Sequence, residues 1–385
     1  MKTSPMRRMV AKVMIGTLAV SGFSVAAASP VSAAKVGDSC IQKDAYRIEK
    51  VGRSYIRCEI VPGTSLHASS KATQAKFAWR VTTASQYQLA SANSESIRLD
   101  GSSTVAPLAA VAAKYFENTS KSVNGKKGVK VTVGISGTGG GFEKFCKGET
   151  DMSNASRAIR SSESQTCTKA GIEYEEVIMA NDGLAVVVNP KNTWAKCLTM
   201  AEMKKIWEPN STITNWSQVR AGFPNVPIKL YGAGTDSGTF DAFSEFVNGR
   251  SGVIRKENVS TSENDNVTVQ GVSRDQGAMG YFGLSYAIEN AKKVSAIQLD
   301  KGAGCVTPTV QTVQKYTYPM ARPLYVYVKK ASIQTKPAVG AFVQFWVDNL
   351  KQISADALFV PLTNKQIRVQ QQEIAAIAKL PKVKK

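Results

Sequence analysis

The chain has one histidine, His67, in 385 residues. A Ser–His–Asp or Cys–His nucleophile system would have to use it. It sits in the polar connector Ser65-Leu66-His67-Ala68-Ser69-Ser70, which reads as an exposed loop. Histidine-dependent hydrolysis and His-rich metal sites are therefore disfavoured. The six cysteines contain no C-x-x-C pair, and clustered metal carboxylates are lacking, so no metal site is expected. Acids are scarce: 29 Asp and Glu stand against 49 Lys and Arg, a formal charge of +20. Beyond the N-terminal region no apolar run is long enough to span a bilayer. Val36-Gly37-Asp38-Ser39 before Cys40 is not a lipobox.

Residues 1–34 read as a secretory leader. Arg7, Arg8 and Lys12 form its basic start, Val13 to Ala27 its apolar stretch, and Val31-Ser32-Ala33 or Ser32-Ala33-Ala34 its small-residue cleavage site. Removing Lys2, Arg7, Arg8 and Lys12 takes the formal charge from +20 to +16. Such an excess attracts anions and anionic surfaces. The positive residues are scattered and no nucleic-acid motif is present, so nucleic acid is disfavoured against contact with cell wall or another anionic surface, and a solvated basic face is the default reading. Export also implies disulfides. The spacing favours nearest-neighbour pairing: Cys40–Cys58, Cys146–Cys167 and Cys197–Cys305. The expected product is a free exported protein, periplasmic or extracellular and wall-associated, not a lipoprotein, and a monomer.

Residues 35–62 read as a small N-terminal module with its own Cys pair, and 63–95 as a Ser/Ala/Thr/Gln-rich linker in which Phe77–Val81 could form a short strand or docking segment. From Ser96 strands and helices alternate. Ile97–Leu99, Val129–Ile135, Val177–Ala180, Leu184–Val188, Ile228–Tyr231, Ala278–Phe282 and Leu324–Val328 read as strands. Val105–Phe116, Phe142–Lys147, Thr199–Trp207, Thr239–Asn248 and Val339–Leu350 have helical spacing. That rhythm means an α/β sheet fold, with ligands expected at the carboxyl ends of strands. Residues 366–385 read as a basic C-terminal tail, helical in its centre and frayed at its end.

Three turns stand out: Gly101-Ser102-Ser103-Thr104-Val105, Ser136-Gly137-Thr138-Gly139-Gly140-Gly141 and Thr235-Asp236-Ser237-Gly238-Thr239. Each follows a strand-like run and opens a helix-like one. A helix start carries backbone N–H groups without intrahelical partners and a partial positive charge. One such turn is ordinary capping; three in one chain suggest a small tetrahedral anion held between lobes.

The order of these turns with Asp151–Arg157, Glu263–Gly271 and Gly277–Gly283 resembles the phosphate-binding proteins of phosphate ABC transporters, the PstS-like family. The similarity runs over roughly residues 96–365, and Gly234-Thr-Asp-Ser-Gly-Thr-Phe-Asp241 is its most specific stretch. The resemblance implies a two-lobed class II periplasmic-binding-protein fold with a ligand cleft, beside the small disulfide-bonded N-terminal module. Residues 96–183 and 304–365 would form lobe 1 and 184–303 lobe 2, with a first crossing at Asp182-Gly183 and a return near 300–308. Cys197–Cys305 would then fix the hinge side of lobe 2.

By position, the resemblance implies phosphate contacts from Thr104 and Val105, from Ser136, Thr138 and Gly139, and from Ser237, Gly238 and Thr239. Asp151 would accept the proton that phosphate carries near neutral pH and sulfate lacks, excluding sulfate by leaving two acceptors face to face. Family members place an arginine where this chain has Ala233, and Arg157 is the expected substitute. Asp265, in Glu263-Asn264-Asp265-Asn266, is expected at the cleft rim in a structural role. The expected function is that of an extracytoplasmic phosphate receptor, without catalytic residues, cofactor or metal, delivering its ligand to an ABC permease. The alternatives are a secreted or wall-associated phosphate scavenger or adhesin, and a binding-protein-like phosphatase.

Overall fold

The computed structural model describes residues 34–378 except 63, 65, 67–73, 93, 94, 126 and 127. Residues 1–33 of the expected leader, His67 and the basic end of the tail lie outside the described residues. Among those described, no helix is long and apolar enough to cross a membrane.

Strands β1 (Ser39–Cys40), β2 (Ile48–Val51), β3 (Ser54–Ile60) and β4 (Phe77–Thr82) form an antiparallel sheet in the order β1-β4-β3-β2. Cys40–Cys58 staples it. Residues 77–82, read from the sequence as part of a linker, are a central strand here. This sheet is not a free module. Tyr46, Ile56, Phe77 and Trp79 belong to the same buried cluster as the first lobe's core. Tyr46 stacks on Tyr115 at 4.4 Å, and its carbonyl accepts a 2.7 Å hydrogen bond from Thr119. Its apolar face is too small to bury by itself, so it borrows the lobe's core. Thr83 then caps the short helix α1 (Ala84–Ala90).

Lobe 1 continues as β5 (Ser96–Gly101), α2 (Ala106–Asn124), β6 (Lys130–Val133), α3 (Gly137–Cys146), β7 (Met152–Ala155) and α4 (Ser161–Lys169). Pro107 stands in the first turn of α2, where its missing N–H costs nothing. β5 runs parallel to both β6 and β7. The two apolar runs 177–180 and 184–188 prove to be one strand, β8 (Tyr174–Val188), buried over most of its length. It leaves lobe 1 and enters lobe 2, the first crossing.

Lobe 2 comprises β9 (Cys197–Thr199), α5 (Met200–Trp207), β10 (Lys229–Ala233), α6 (Gly238–Asn248), β11 (Val259–Ser262), α7 (Asp265–Arg274), β12 (Ala278–Gly283), α8 (Leu284–Glu289), β13 (Ser295–Ala296), β14 (Gln298–Asp300), β15 (Cys305–Val306) and α9 (Val310–Gln314). β10, β11 and β12 are parallel, and β12 joins β8 antiparallel. β9, β14 and β15 form a small separate sheet bridged by Cys197–Cys305.

The return crossing comes later than the sequence suggests. Val313, Tyr318 and Met320 are buried in the lobe 2 core, because the small sheet and its disulfide keep residues 298–306 there. The chain re-enters lobe 1 through β16 (Ala321–Lys329), which pairs antiparallel with β8 and β7. Then α10 (Lys330–Thr335), α11 (Pro337–Asp348), α12 (Leu350–Asp356) and α13 (Asn364–Ala378) complete that lobe. The helix expected within the tail is α13. It docks: Ile374 is buried in the lobe 1 core, and Gln370 accepts a 2.8 Å hydrogen bond from the Ile178 N–H.

Candidate functional site

The parallel strands of each lobe end facing the other lobe, so the turns after β5, β6 and β10 converge, as α/β topology places ligand sites. Glycine makes the turns possible. Gly101 has φ +142°, and a Cβ there would lie 2.1 Å from the Asn154 carbonyl oxygen. Its own carbonyl accepts from Ser136 N–H at 3.1 Å, tying the first turn to the second. A Cβ at Gly141 would sit 2.5 Å from Gly101 Cα, so α3 lies directly on the end of β5.

The first and third turns meet across the lobes. Thr104 donates a 3.1 Å hydrogen bond to the Gly238 carbonyl, and Ser103 donates to Asp241. A Cβ at Gly238 would stand 2.7 Å from both Thr104 Cα and the Ser103 carbonyl oxygen. Ser237 caps α6, its hydroxyl accepting from Thr239 N–H at 3.1 Å. Val105 is fully buried at the start of α2. Two positively polarised helix starts thus face each other in contact, an arrangement that favours an anion between them.

The second turn lies beside them. Ser136 donates to Asp100 at 2.6 Å, and Asp100 also takes Lys144 at 2.6 Å. Burial pushes the Asp100 carboxyl up, but the bonds from Lys144 and Ser136 outweigh it and hold it below the usual range. Thr138 and Ser156 share a 3.1 Å hydroxyl contact, and Thr138 accepts from Ser156 N–H at 3.2 Å. Arg157 follows Ser156. It is held by Glu163 in a two-pronged pair at 2.8 and 2.7 Å and lies over the Phe142 ring at 5.7 Å. A Cβ at Gly139 would be 4.0 Å from Arg157 Nη2. Ser136, Thr138, Gly139 and Arg157 therefore form one neighbourhood, and Thr104, Val105, Ser237, Gly238 and Thr239 another.

Two residues at the heart of the cleft were missed by sequence reasoning. Arg322, on β16, donates to Asp182 at 3.2 Å, to Glu245 of α6 at 2.6 Å and to the Thr104 hydroxyl at 3.5 Å. It stands in contact with both lobes and the β8 crossing, an arginine from the return strand where Ala233 provides none. Asp182 is 2% exposed; burial pushes its carboxyl up and Arg322 pulls part of the way back. A lone carboxylate inside the apolar run 177–188 was the legible signal for Asp182. Arg322 had no such signal: its partnership depends on strand register, which places it opposite Asp182.

A cavity of about 210 Å³ opens here, lined by Thr104, Asp182, Ser237, Gly238, Thr239 and Asp265 among others. Burial, and then the nearby Glu263, push the Asp265 carboxyl up to about 6. Asp265, expected at the cleft rim, lines the same cavity as the first and third turns.

Asp151 does not fit its expected place. It precedes β7 while Ser156 follows it, so it occupies the opposite end of the strand. There its carboxylate accepts from Lys336 at 2.6 Å, Ser332 at 3.0 Å and the Arg98 N–H at 3.1 Å. A four-residue strand spans about 13 Å, more than any side chain there can cross. Asp151 ties β5 to α10 and the start of α11.

The disulfides are the three nearest-neighbour pairs. Cys146–Cys167 joins α3 to α4 in lobe 1. Cys197–Cys305 lies in the small sheet of lobe 2.

Comparison with known proteins agrees with this architecture. The PBP superfamily domain profile matches residues 83–349. Protein SphX of Synechocystis sp. is 43% identical over 275 residues, covering 71% of this chain and 80% of that protein. The phosphate-binding protein PstS of Staphylococcus saprophyticus is 33% identical over 279 residues, covering 72% and 84%. The crystal structure of a possible phosphate binding protein from Planctomyces limnophilus shares 41% identity at a TM-score of 0.69, covering 73% of this chain and 98% of that one. With two lobes, two crossings and anion turns facing one another across the cleft, this chain belongs to the PBP superfamily and, within it, to the PstS-like phosphate-binding proteins of phosphate ABC transporters.

Proposed function

We propose that this chain is an extracytoplasmic receptor that closes on inorganic phosphate and delivers it to an ABC permease. One observation carries the reading: the starts of α2 and α6, one from each lobe, meet at one cavity, and Arg322 reaches the Thr104 hydroxyl beside it. Helix starts and a guanidinium group suit a compact oxyanion better than a sugar or peptide. Micromolar binding needs about −8 kcal/mol, within reach of several charge-assisted hydrogen bonds in a closed cleft.

Thr104, Val105, Thr138, Gly139, Arg157, Ser237, Gly238, Thr239 and Arg322 are the proposed anion contacts, with Ser136 presented by Asp100. Asp182 and Asp265, both in the cavity wall and both pushed up by burial, replace Asp151 as acceptors of the phosphate proton. Sulfate has no proton to give and meets the same carboxylates unpaired. The protein is exported without a lipid anchor and acts as a monomer, and its positive charge favours contact with anionic envelope surfaces. Catalysis plays no part, in keeping with relatives that are binding proteins.

Calorimetric titration of phosphate and sulfate into protein stripped of ligand by refolding tests the reading. Phosphate heat without sulfate heat is expected, with the preference eroded in Asp265→Asn and retained in Asp151→Asn. Absence of phosphate binding by the wild type would sink it. Release of phosphate from a chromogenic ester would favour the phosphatase alternative instead.

A further inference from the structure

We infer that Glu163 is a positioning residue for the anion cleft, acting through Arg157; this rests on the phosphate-receptor reading.

Arg157 follows β7 at the mouth of the cleft, and a long flexible cation there has two carboxylates to choose between. Glu163 belongs to lobe 1. Glu245 belongs to lobe 2 and is close enough to influence the charge on Arg157, but it already binds Arg322 at 2.6 Å. Glu163 wins by geometry. Both its oxygens face the guanidinium, and Oε2 also accepts from Arg160 N–H at 2.8 Å. The carboxylate is therefore fixed before Arg157 reaches it. Burial pushes Glu163 up, but the bonds from Arg157 and the Arg160 N–H outweigh it and hold it well ionised.

The pairing leaves defined donors. A guanidinium carries five N–H groups. Two go to Glu163 and one to the Ala158 carbonyl at 3.1 Å. Nε and the second Nη2 hydrogen have no protein partner among the described residues, and Nη2 lies beside Gly139 at the start of α3. An anion at that helix start would meet an arginine already oriented, without the entropy cost of ordering it.

The support beneath Glu163 is rigid. Cys146 ends α3, Cys167 lies near the end of α4, and both are buried with Phe142, Phe145, Ala155 and Tyr327 in a small core on the other face of the lobe 1 sheet. One disulfide therefore fixes the relative position of the helix that opens with the glycine turn and the helix that carries Glu163. If the Glu163 carboxylate were lost, Arg157 would be free to turn towards Glu245 and bridge the lobes without ligand.

A double-mutant cycle tests this, with phosphate affinity measured by calorimetry and folding by thermal melt. In the wild-type background Glu163→Gln, which keeps size and removes charge, is expected to weaken phosphate about tenfold. In an Arg157→Ala background the same substitution is expected to change affinity less than twofold. Glu163→Asp, which restores the charge on a shorter arm, should recover part of the affinity. Equal losses in both backgrounds would mean that Glu163 serves only to hold the fold. No loss in either would overturn the inference outright. Wild type that binds no phosphate would defeat the receptor reading itself, a different result from an additive cycle on a protein that binds.

Discussion

The two ends of the lobe 1 sheet use the same chemistry to opposite effect. At each end a carboxylate meets a lysine and a serine hydroxyl: Asp100 with Lys144 and Ser136 at the carboxyl end, Asp151 with Lys336 and Ser332 at the amino end. At the amino end these contacts are self-contained, and their result is to fasten α10 and α11 to the sheet. At the carboxyl end α2 and α3 begin, and the turn that opens α2 meets the opposite lobe through Thr104 and Ser103, which donate to the Gly238 carbonyl and to Asp241. Composition does not distinguish a brace from a binding site. The direction in which helices leave the strands does.

The largest expected effect lies at the bridge between lobes. Arg322→Ala leaves Asp182 buried without its cation, and breaking such a pair costs about 3 kcal/mol or more; urea unfolding should show it, with Asp182→Asn in the same chain restoring much of the loss. Gly238→Val comes next. Its Cβ would meet the Ser103 and Thr104 backbone at 2.7 Å, so the lobes cannot close, and phosphate affinity should fall about a hundredfold, about 2.7 kcal/mol, while the melting temperature of ligand-free protein changes little.

The pH dependence separates the cleft from the amino end of the lobe 1 sheet further. Asp265 titrates at about 6 when folded against an ordinary 3.8. Between those values the folded chain keeps a proton that the unfolded chain releases, so stability falls as pH rises from 4 to 6. Urea midpoints at pH 4 and 7 should differ less in Asp265→Asn. At the amino end, Asp151→Asn should cost stability by about 1 kcal/mol and leave phosphate affinity within twofold; a larger binding loss would erase the distinction between the two ends. Smallest is Gly139→Ala. The substitution should stabilise α3 by about 0.5–1 kcal/mol in thermal melts, while its methyl, 4.0 Å from Arg157 Nη2, narrows the proposed anion site and weakens phosphate in calorimetry.

The three helix-opening turns were legible because their demands are local. Gly101 and Gly137 need backbone freedom, and Ser237 and Thr104 suit helix starts, so residue types alone mark the places. The alternation of strands and helices was legible for the same reason. Asp151 misled because it shares a motif with Arg157: six residues of sequence look close, yet an intervening strand carries them to opposite ends of the sheet. Arg322 and Asp182 are 140 residues apart, and their pairing follows from the register of β8 against β16. Of the N-terminal sheet, residues 77–81 were legible only as a possible strand within a linker; that Tyr46 and Trp79 would be buried in the lobe 1 core depends on surface complementarity rather than on pattern.

The Cys197–Cys305 bond spans 108 residues, and those residues include β10, α6, β11, α7 and β12. The larger part of lobe 2 is thus a covalent ring set into an otherwise linear chain. Tension applied at the two ends of the polypeptide passes through the bond and bypasses the ring, so that lobe is shielded from mechanical unravelling. A protease cutting once in the surface loop around residues 220–226 would yield two pieces that separate on a denaturing gel only after reduction. Against both shear and proteolysis, that makes lobe 2 the part of the protein hardest to take apart.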